Sequence, residues 1–472
     1  MKTQCSESAY EFQALGQRQV ACAFDGGRIT SDGGGLLLRE IEQKFGVIRK
    51  FASCFTDHRD PTRIEHPLPQ LLGQRVFGLA LGYEDLNDHD ELRLDAALAL
   101  LVDKPDPTGA DRVRQRDKGK ALAGKSTLNR LELTPAEADA NSRYKKIVVQ
   151  PEQVDDFFVD LFLNTQAEVP QRLVLDLDAT DDPLHGQQEG RFFHGYYREY
   201  CYLPLYIFCG DDLLCARLRT ADNDAAAGAK EEVARIVARL RQHWPQVRIV
   251  VRGDSGFCRE ELMSWCEQAG VDYLFGLAKN SRLCAALVGA MAAAEEQYKA
   301  TGAAARVYAD FAYRTLKSWT RERRVVGKAE YLAKGENPRF VVTSLGRAEF
   351  AAQGLYEQEY CSRGEMENRI KEQQLMMFAD RTSTAELRAN QLRLWFSSVA
   401  YVVMNLLRRV GLRGTEWARA QCDTIRLKLL KIGGCVRVSV RRVFLSLASG
   451  YPYEELFRRV YENIRRWVPL TA

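Results

Sequence analysis

The sequence predicts an α/β protein: a mixed strand-and-helix core between an all-helical N-terminal domain and a basic, helical C-terminal region. Three observations predict it. Strand-like runs begin only near residue 171, come first in succession, and then alternate with helical periods. The first 150 residues carry helical spacing and cap residues instead. Charge is uneven: the chain of 472 residues has a net charge of only +4, yet residues 401–472 hold 14 Lys and Arg against 5 Asp and Glu. That tail is therefore +9 and the rest close to −5, which fits one region touching phosphate and another gathering cations.

Taken in order, residues 1–30 read as an extended arm, followed by helices over 33–46 and 68–81 and an acidic amphipathic stretch, YEDLNDHDELRLDAALALLV. KSTLNRLELTPAEAD reads as two short helices with Ser126, Thr127 and Thr134 as caps. Residues 1–150 are thus expected to form a helical domain for DNA-end binding, dimerisation or both. Strands are expected over 173–178, 192–200, 203–209 and 213–218. A helix capped by Asp222 or Asp224 follows, then a buried strand over 247–251, a helix, a strand over 273–277 and a further helix. Consecutive strands followed by alternating helix and strand are the order of a ribonuclease-H-like sheet, assigned here to 151–300 and 346–411. Residues 301–345 read as a β-rich insertion. Ser383-Thr384-Ala385-Glu386 reads as a capping box opening a long helix that stops at Gly411, and 412–472 as a basic helical region.

The stretch LVLDLDATDDPLHG organises the chemistry. Leu173, Leu175 and Leu177 alternate with Val174, Asp176 and Asp178, and Asp181 and Asp182 follow at once. Carboxylates about 4 Å apart repel by roughly 4 kcal/mol at an effective dielectric near 20. A hard divalent cation is the usual offset. Asp178 ends this strand, with Asp176 as the alternative first acid. Asp254 follows a buried strand in RGDSGF. Arg363, Glu367, Lys371 and Gln374 share one helical stripe, a carboxylate flanked by cations able to grip phosphate. Singly, Asp254 fits an ordinary turn and the stripe an ordinary solvated ion-pair face; their order along the chain favours a site.

Other classes recede. The 12 cysteines form no CxxC pair or zinc spacing, as in a reducing cytoplasm. The polar N-terminus is no signal peptide, and the apolar run at 392–407 is too short and polar to span a bilayer, so a cytoplasmic protein without a membrane partner is expected. No GxGxxG or GxxxxGK[ST] loop follows a strand, against a nucleotide-binding enzyme.

With LVLDLDATDDPLHG, LPLYIFCGDDLLCARLR, IVVRGDSGF and YCSRGEMENRIKE, and with LALGYEDLNDHDEL and LAGKSTLNRLE nearer the N-terminus, the chain resembles DDE transposases of bacterial insertion sequences, specifically the insertion-sequence family numbered 1380. The resemblance implies a ribonuclease-H-like domain, a β-rich insertion before the last acid, and Asp178, Asp254 and Glu367 as catalytic, metal-binding triad. It implies Mg²⁺, replaceable by Mn²⁺, as two ions about 4 Å apart that stabilise the attacking and leaving oxygens. Asp178 would bridge both ions, and Asp254 and Glu367 would each hold one. Tyr360, Arg363 and Lys371 would position DNA phosphates. Tyr360, Arg363 and Glu367 match a Tyr-x2-Arg-x3-Glu-x6-Lys signature whose Lys position holds Gln374 here. The implied partners are the element's terminal inverted repeats and target DNA, bound by a homodimer. The rival readings are a ribonuclease-H-like nuclease without strand transfer and a catalytically silent DNA-binding derivative.

Overall fold

A computed structural model describes residues 9–468. The chain divides into two compact units, one of Met1–Val148 with Val403–Trp467, the other chiefly Val149–Val402. This differs from a separate C-terminal region beginning at 412.

The second unit is mixed α/β around a nine-stranded sheet. Its main strands are β1 (Arg172–Ala179), β2 (Leu205–Cys209), β3 (Asp212–Arg217), β4 (Arg248–Gly253), β5 (Asp272–Leu277), β6 (Ala305–Tyr313), β7 (Arg323–Leu332) and β8 (Arg339–Thr343). Their order is β3-β2-β1-β4-β5-β8-β7-β6, with the short strand Gly335–Glu336 beside β7. Pairing is parallel for β1 with β4 and for β4 with β5, and antiparallel elsewhere. Residues 301–345 are β-rich, and their strands continue this same sheet through β8 on β5.

One face of β1, Leu173, Leu175 and Leu177, enters a core closed by Val159 and Phe162 of helix Pro151–Asn164. Val233, Ile236 and Leu240 of helix Ala229–His243 and Leu262 and Met263 of helix Glu260–Gln268 complete it. The other face holds Val174 beside Val250, Leu274, Val326 and Val341, against which Leu355, Tyr356 and Tyr360 pack. That second contact lays the 355–376 segment over the polar end of β1.

The first unit centres on helix Leu68–Leu81, buried nearly all round. It is not all-helical. Tyr10–Leu15 pairs with Arg18–Cys22, Arg28–Thr30 is a strand, and Phe55–Asp57 and Ile147–Val149 are short strands. The first hairpin is exposed on both faces, so no burial pattern marks it. Nor, among the described residues, is the stretch from 412 to 468 mainly helical: Gly434–Val438 pairs with Val443–Leu447 and with Arg28–Thr30. Alternation in VRVSVRRVFLSL carries that signal. A Cβ at Gly34 would stand 2.1 Å from the Leu429 carbonyl oxygen, so glycine there permits the two ends of this unit to meet.

Caps differ as well. Helix Ala229–His243 starts at Gly228, and helix Lys125–Glu132 at Gly124, rather than at the Asp or Ser residues nearby. Ser383–Glu386 lies ahead of helix Leu387–Leu406, whose first amide donates instead to Glu189 Oε2 at 3.0 Å. Among the described residues no helix is long and apolar enough to cross a membrane.

Candidate active site

The site lies on the sheet face opposite the leucine core. Period-2 alternation puts Val174, Asp176 and Asp178 there from β1 and Val250, Arg252 and Asp254 from β4 and its end. Parallel register pairs Arg252 with Asp176 and Gly253 with Leu177, so Asp254 falls beside Asp178 on adjacent strands.

Asp176 is not available for ligands. Arg252 Nε donates to its Oδ1 at 2.5 Å and Arg252 Nη2 to its Oδ2 at 2.7 Å, in a buried fork. Arg252 Nη1 also donates to the Glu359 carbonyl and Ser362 Oγ, while Arg172 Nη2 reaches Glu359 Oε2 at 2.6 Å. These two arginines clamp the 355–363 segment onto the sheet. Sequence reasoning passed over Arg252 and Glu359. The available signal was Arg252 standing two residues before Asp254, hence on its face.

Asp178 stands one residue before the end of β1, with its side chain 16% exposed. Arg363 Nη2 lies 3.0 Å from Asp178 Oδ1, and Arg363 Nη1 lies 3.5 Å from Glu367 Oε1, one helical turn on. Burial pushes the Asp178 carboxyl up to about 6. Arg363 opposes that rise, while the charges of Asp254 and Glu367 add to it. Burial works against charge on Arg363, but Asp178, Asp254 and Glu367 more than offset it and hold its pKa above the ordinary value. Asp254 caps the turn Ser255–Phe257 by accepting from the Gly256 amide at 2.8 Å through Oδ1.

Glu367 is 54% exposed on helix Gly364–Lys371. Tyr360 reaches the same region through a gap at Gly276 of β5. A Cβ there would meet the Tyr360 hydroxyl at 2.6 Å and the Ser255 nitrogen at 2.9 Å. Burial raises the Tyr360 pKa, with Arg363 opposing and Asp254 adding. Lys371 is exposed at the end of its helix. Gln374 leaves the predicted stripe and donates from Nε2 to the Asp181 carbonyl at 2.9 Å. Asp182, four residues past Asp178, is 1% exposed, and neither carboxyl oxygen has a hydrogen-bond partner. Burial first, then Asp380 and Asp181, raise its pKa well above the usual range.

The structure thus brings Asp178, Asp254, Arg363, Glu367 and Tyr360 into one electrostatic group. The donors are of the right kind for a hard cation, all carboxylate oxygens whose mutual repulsion at Asp178 is opposed by Arg363 alone among the charges acting on it. They do not close into a ligand shell: among the described residues no group of three or more His, Cys, Asp or Glu could hold a metal ion. The Arg363 guanidinium lies between Asp178 and Glu367 and supplies the positive charge there.

A cryo-EM structure of the piggyBac transposase synaptic complex with hairpin DNA aligns with 94% of this chain and 87% of its own, at 10% identity and a TM-score of 0.39. No curated protein matches the chain. The family model described as Transposase DDE domain group 1 matches residues 12–469. Because that match takes in both units and every carboxylate of the site, the chain belongs to the group 1 family of DDE transposase domains.

Proposed function

We propose that this transposase cuts phosphodiester bonds at the ends of an insertion sequence of the 1380 type and joins the freed 3′-OH to target DNA. The observation that carries the reading is the register of β1 on β4, which sets Asp254 beside Asp178, with Glu367 tethered over them through Arg363. The sheet order β3-β2-β1-β4-β5, with only the last two pairings parallel, supports a ribonuclease-H-like domain.

In this reading Asp178, Asp254 and Glu367 are the residues that would hold Mg²⁺. Bound there, the metal would supply stabilisation of the charge on the attacking and leaving oxygens of an in-line displacement. The chain's own groups do the positioning. Arg363 offers a planar fork to a phosphate, and Lys371 adds a solvent-facing point charge. The Tyr360 hydroxyl, its pKa raised by burial, is a hydrogen-bond donor toward the same strand ends. Water attacks the phosphorus at the element's end, breaking its P–O3′ bond and leaving a 5′-phosphate on the flank. The freed 3′-OH then attacks a target phosphorus held at the same carboxylates and displaces a target 3′-oxygen, and two synapsed ends call for two copies of the chain.

One observation favours a second reading, a catalytically silent DNA-binding derivative: the guanidinium lies between Asp178 and Glu367, and no three-ligand cluster forms among the described residues. Incubating the protein with DNA carrying its element ends, in Mg²⁺ and in EDTA, separates the two on a denaturing gel. The expected result is Mg²⁺-dependent nicking and joining, lost in Asp254→Asn with DNA binding retained. Binding without cutting in Mg²⁺ or Mn²⁺ selects the silent derivative, and cutting without joining selects a plain nuclease.

A further inference from the structure

Within the first unit a cleft of about 630 Å³ opens among residues 59–66, 112–120, helix Lys125–Glu132 and 143–147. Ten Arg and Lys side chains line it against four carboxylates. The acids neutralise only part of that charge. Arg112 pairs with Glu65 at 3.0 Å and Arg63 with Asp60 at 3.4 Å. Among the described residues Arg93, Arg114, Lys120, Arg130, Arg143 and Lys146 make no ion pair.

At the rim, the guanidiniums of Arg130 and Arg143 each lie 4.9 Å from the ring centroid of Tyr144, which is 57% exposed. At the floor, Arg112 is only 9% exposed and its Nε has no hydrogen-bond partner. Arg112 Nη1 donates to His66 Nε2 at 2.5 Å, which requires a neutral, accepting imidazole. Burial, then Arg112, Lys104 and Arg59, hold the His66 pKa down to about 3.

We propose that this cleft seats the phosphate backbone of DNA, with Arg114, Arg130 and Arg143 each contacting a phosphate. The proposal rests on the transposase reading and gives the first unit a defined DNA contact. Charge is the first argument: a concave wall carrying this excess of cations concentrates field lines and draws a polyanion. Residue choice is the second. Eight of the ten cations are Arg, whose fork matches phosphate oxygens and whose weak hydration suits a partly enclosed site. The third is the exposed aromatic ring interleaved with guanidiniums, an arrangement that suits nucleic acid better than an acidic peptide.

The test is the salt dependence of binding, because phosphate contacts release counterions whatever the sequence. The full chain is titrated with a short fluorescent duplex of arbitrary sequence at several salt concentrations. Losing one contact makes the log–log slope shallower by about 0.9. Arg114→Ala, at an exposed side chain without a partner, is expected to change the slope by about 0.9, and the triple variant Arg114→Ala/Arg130→Ala/Arg143→Ala by about 2.7. The triple Lys variant is expected to keep most of the wild-type slope. Melting curves identify any variant that fails to fold, and the single Arg114→Ala result then decides. A wild-type slope in folded variants overturns the cleft. That outcome is distinct from failure of the transposase reading, which shows as no Mg²⁺-dependent cleavage by the wild-type protein.

Discussion

At the scale of single residues, the site is built from charges that the fold holds at a cost. The Asp178 carboxyl titrates near 3.8 when unconstrained and near 6 in the folded chain. Between those values the folded state binds more protons than the unfolded state, so stability falls as pH rises. The penalty is absent below the lower value and complete above the upper, where it amounts to about 3 kcal/mol. Asp178→Asn removes the titration. In urea unfolding, the variant is expected to gain stability over the wild type progressively from pH 4 to pH 7. A difference that stays constant with pH would show that Asp178 is ordinarily ionised. The sequence made this residue legible as the end of an alternating strand. It could not make Arg252 legible, because the partners that give Arg252 its role lie 76 and 107 residues away.

At the scale of elements, Arg252 joins β1, β4 and the 355–363 segment through one side chain. Its pair with Asp176 is buried on both sides, so removing only the arginine leaves an uncompensated carboxylate. Arg252→Met is expected to destabilise the second unit by about 3–5 kcal/mol, and Arg252→Met/Asp176→Leu to recover most of that. Equal urea midpoints for the single and double variants would mean that the clamp on Glu359 and Ser362, not the ion pair, carries the effect. The clamped segment also shows where sequence periodicity stops. CSRGEMENRIKEQQLMMFA reads as one helix, but this part of the chain folds as a π turn over Leu355–Tyr360, a 3-10 turn over Cys361–Arg363, an α-helix over Gly364–Lys371 and a second π turn over Glu372–Met376. The extra residue in each π turn shifts the faces. Arg363 and Glu367 keep their spacing of one turn, whereas Gln374 is carried away to the Asp181 carbonyl. Strand 173–178 was legible from its alternating leucines, and 203–209 and 213–218 as short apolar runs, which the fold buries on both faces. The Tyr10–Leu15 hairpin was not, because it buries neither face.

At the scale of the molecule, chain order and spatial order part company. The second unit is inserted into the first, whose two segments, up to 148 and from 403, are separated by more than half the chain. Nothing local in the sequence announces this, since pairing between distant segments leaves no periodic trace in either. The links are specific: Arg28–Thr30 pairs with Gly434–Val438, the Gly33 amide donates to the Ile432 carbonyl at 2.8 Å, and Arg426 Nε donates to the Ala80 carbonyl at 2.8 Å. Lys431 Nζ meets Asp32 Oδ1 at 2.7 Å. A chain truncated after residue 402 therefore loses two strands, an ion pair and the cover of Gly34 together, while the strand pairing among β1 to β5 stays whole. Hydrogen exchange of that truncated chain is expected to show lost protection in Leu68–Leu81 and retained protection in β1 and β4. Equal protection of Leu68–Leu81 with and without residues 403–472 would instead make the C-terminal segment a dispensable appendage, with the first 148 residues folding independently of it.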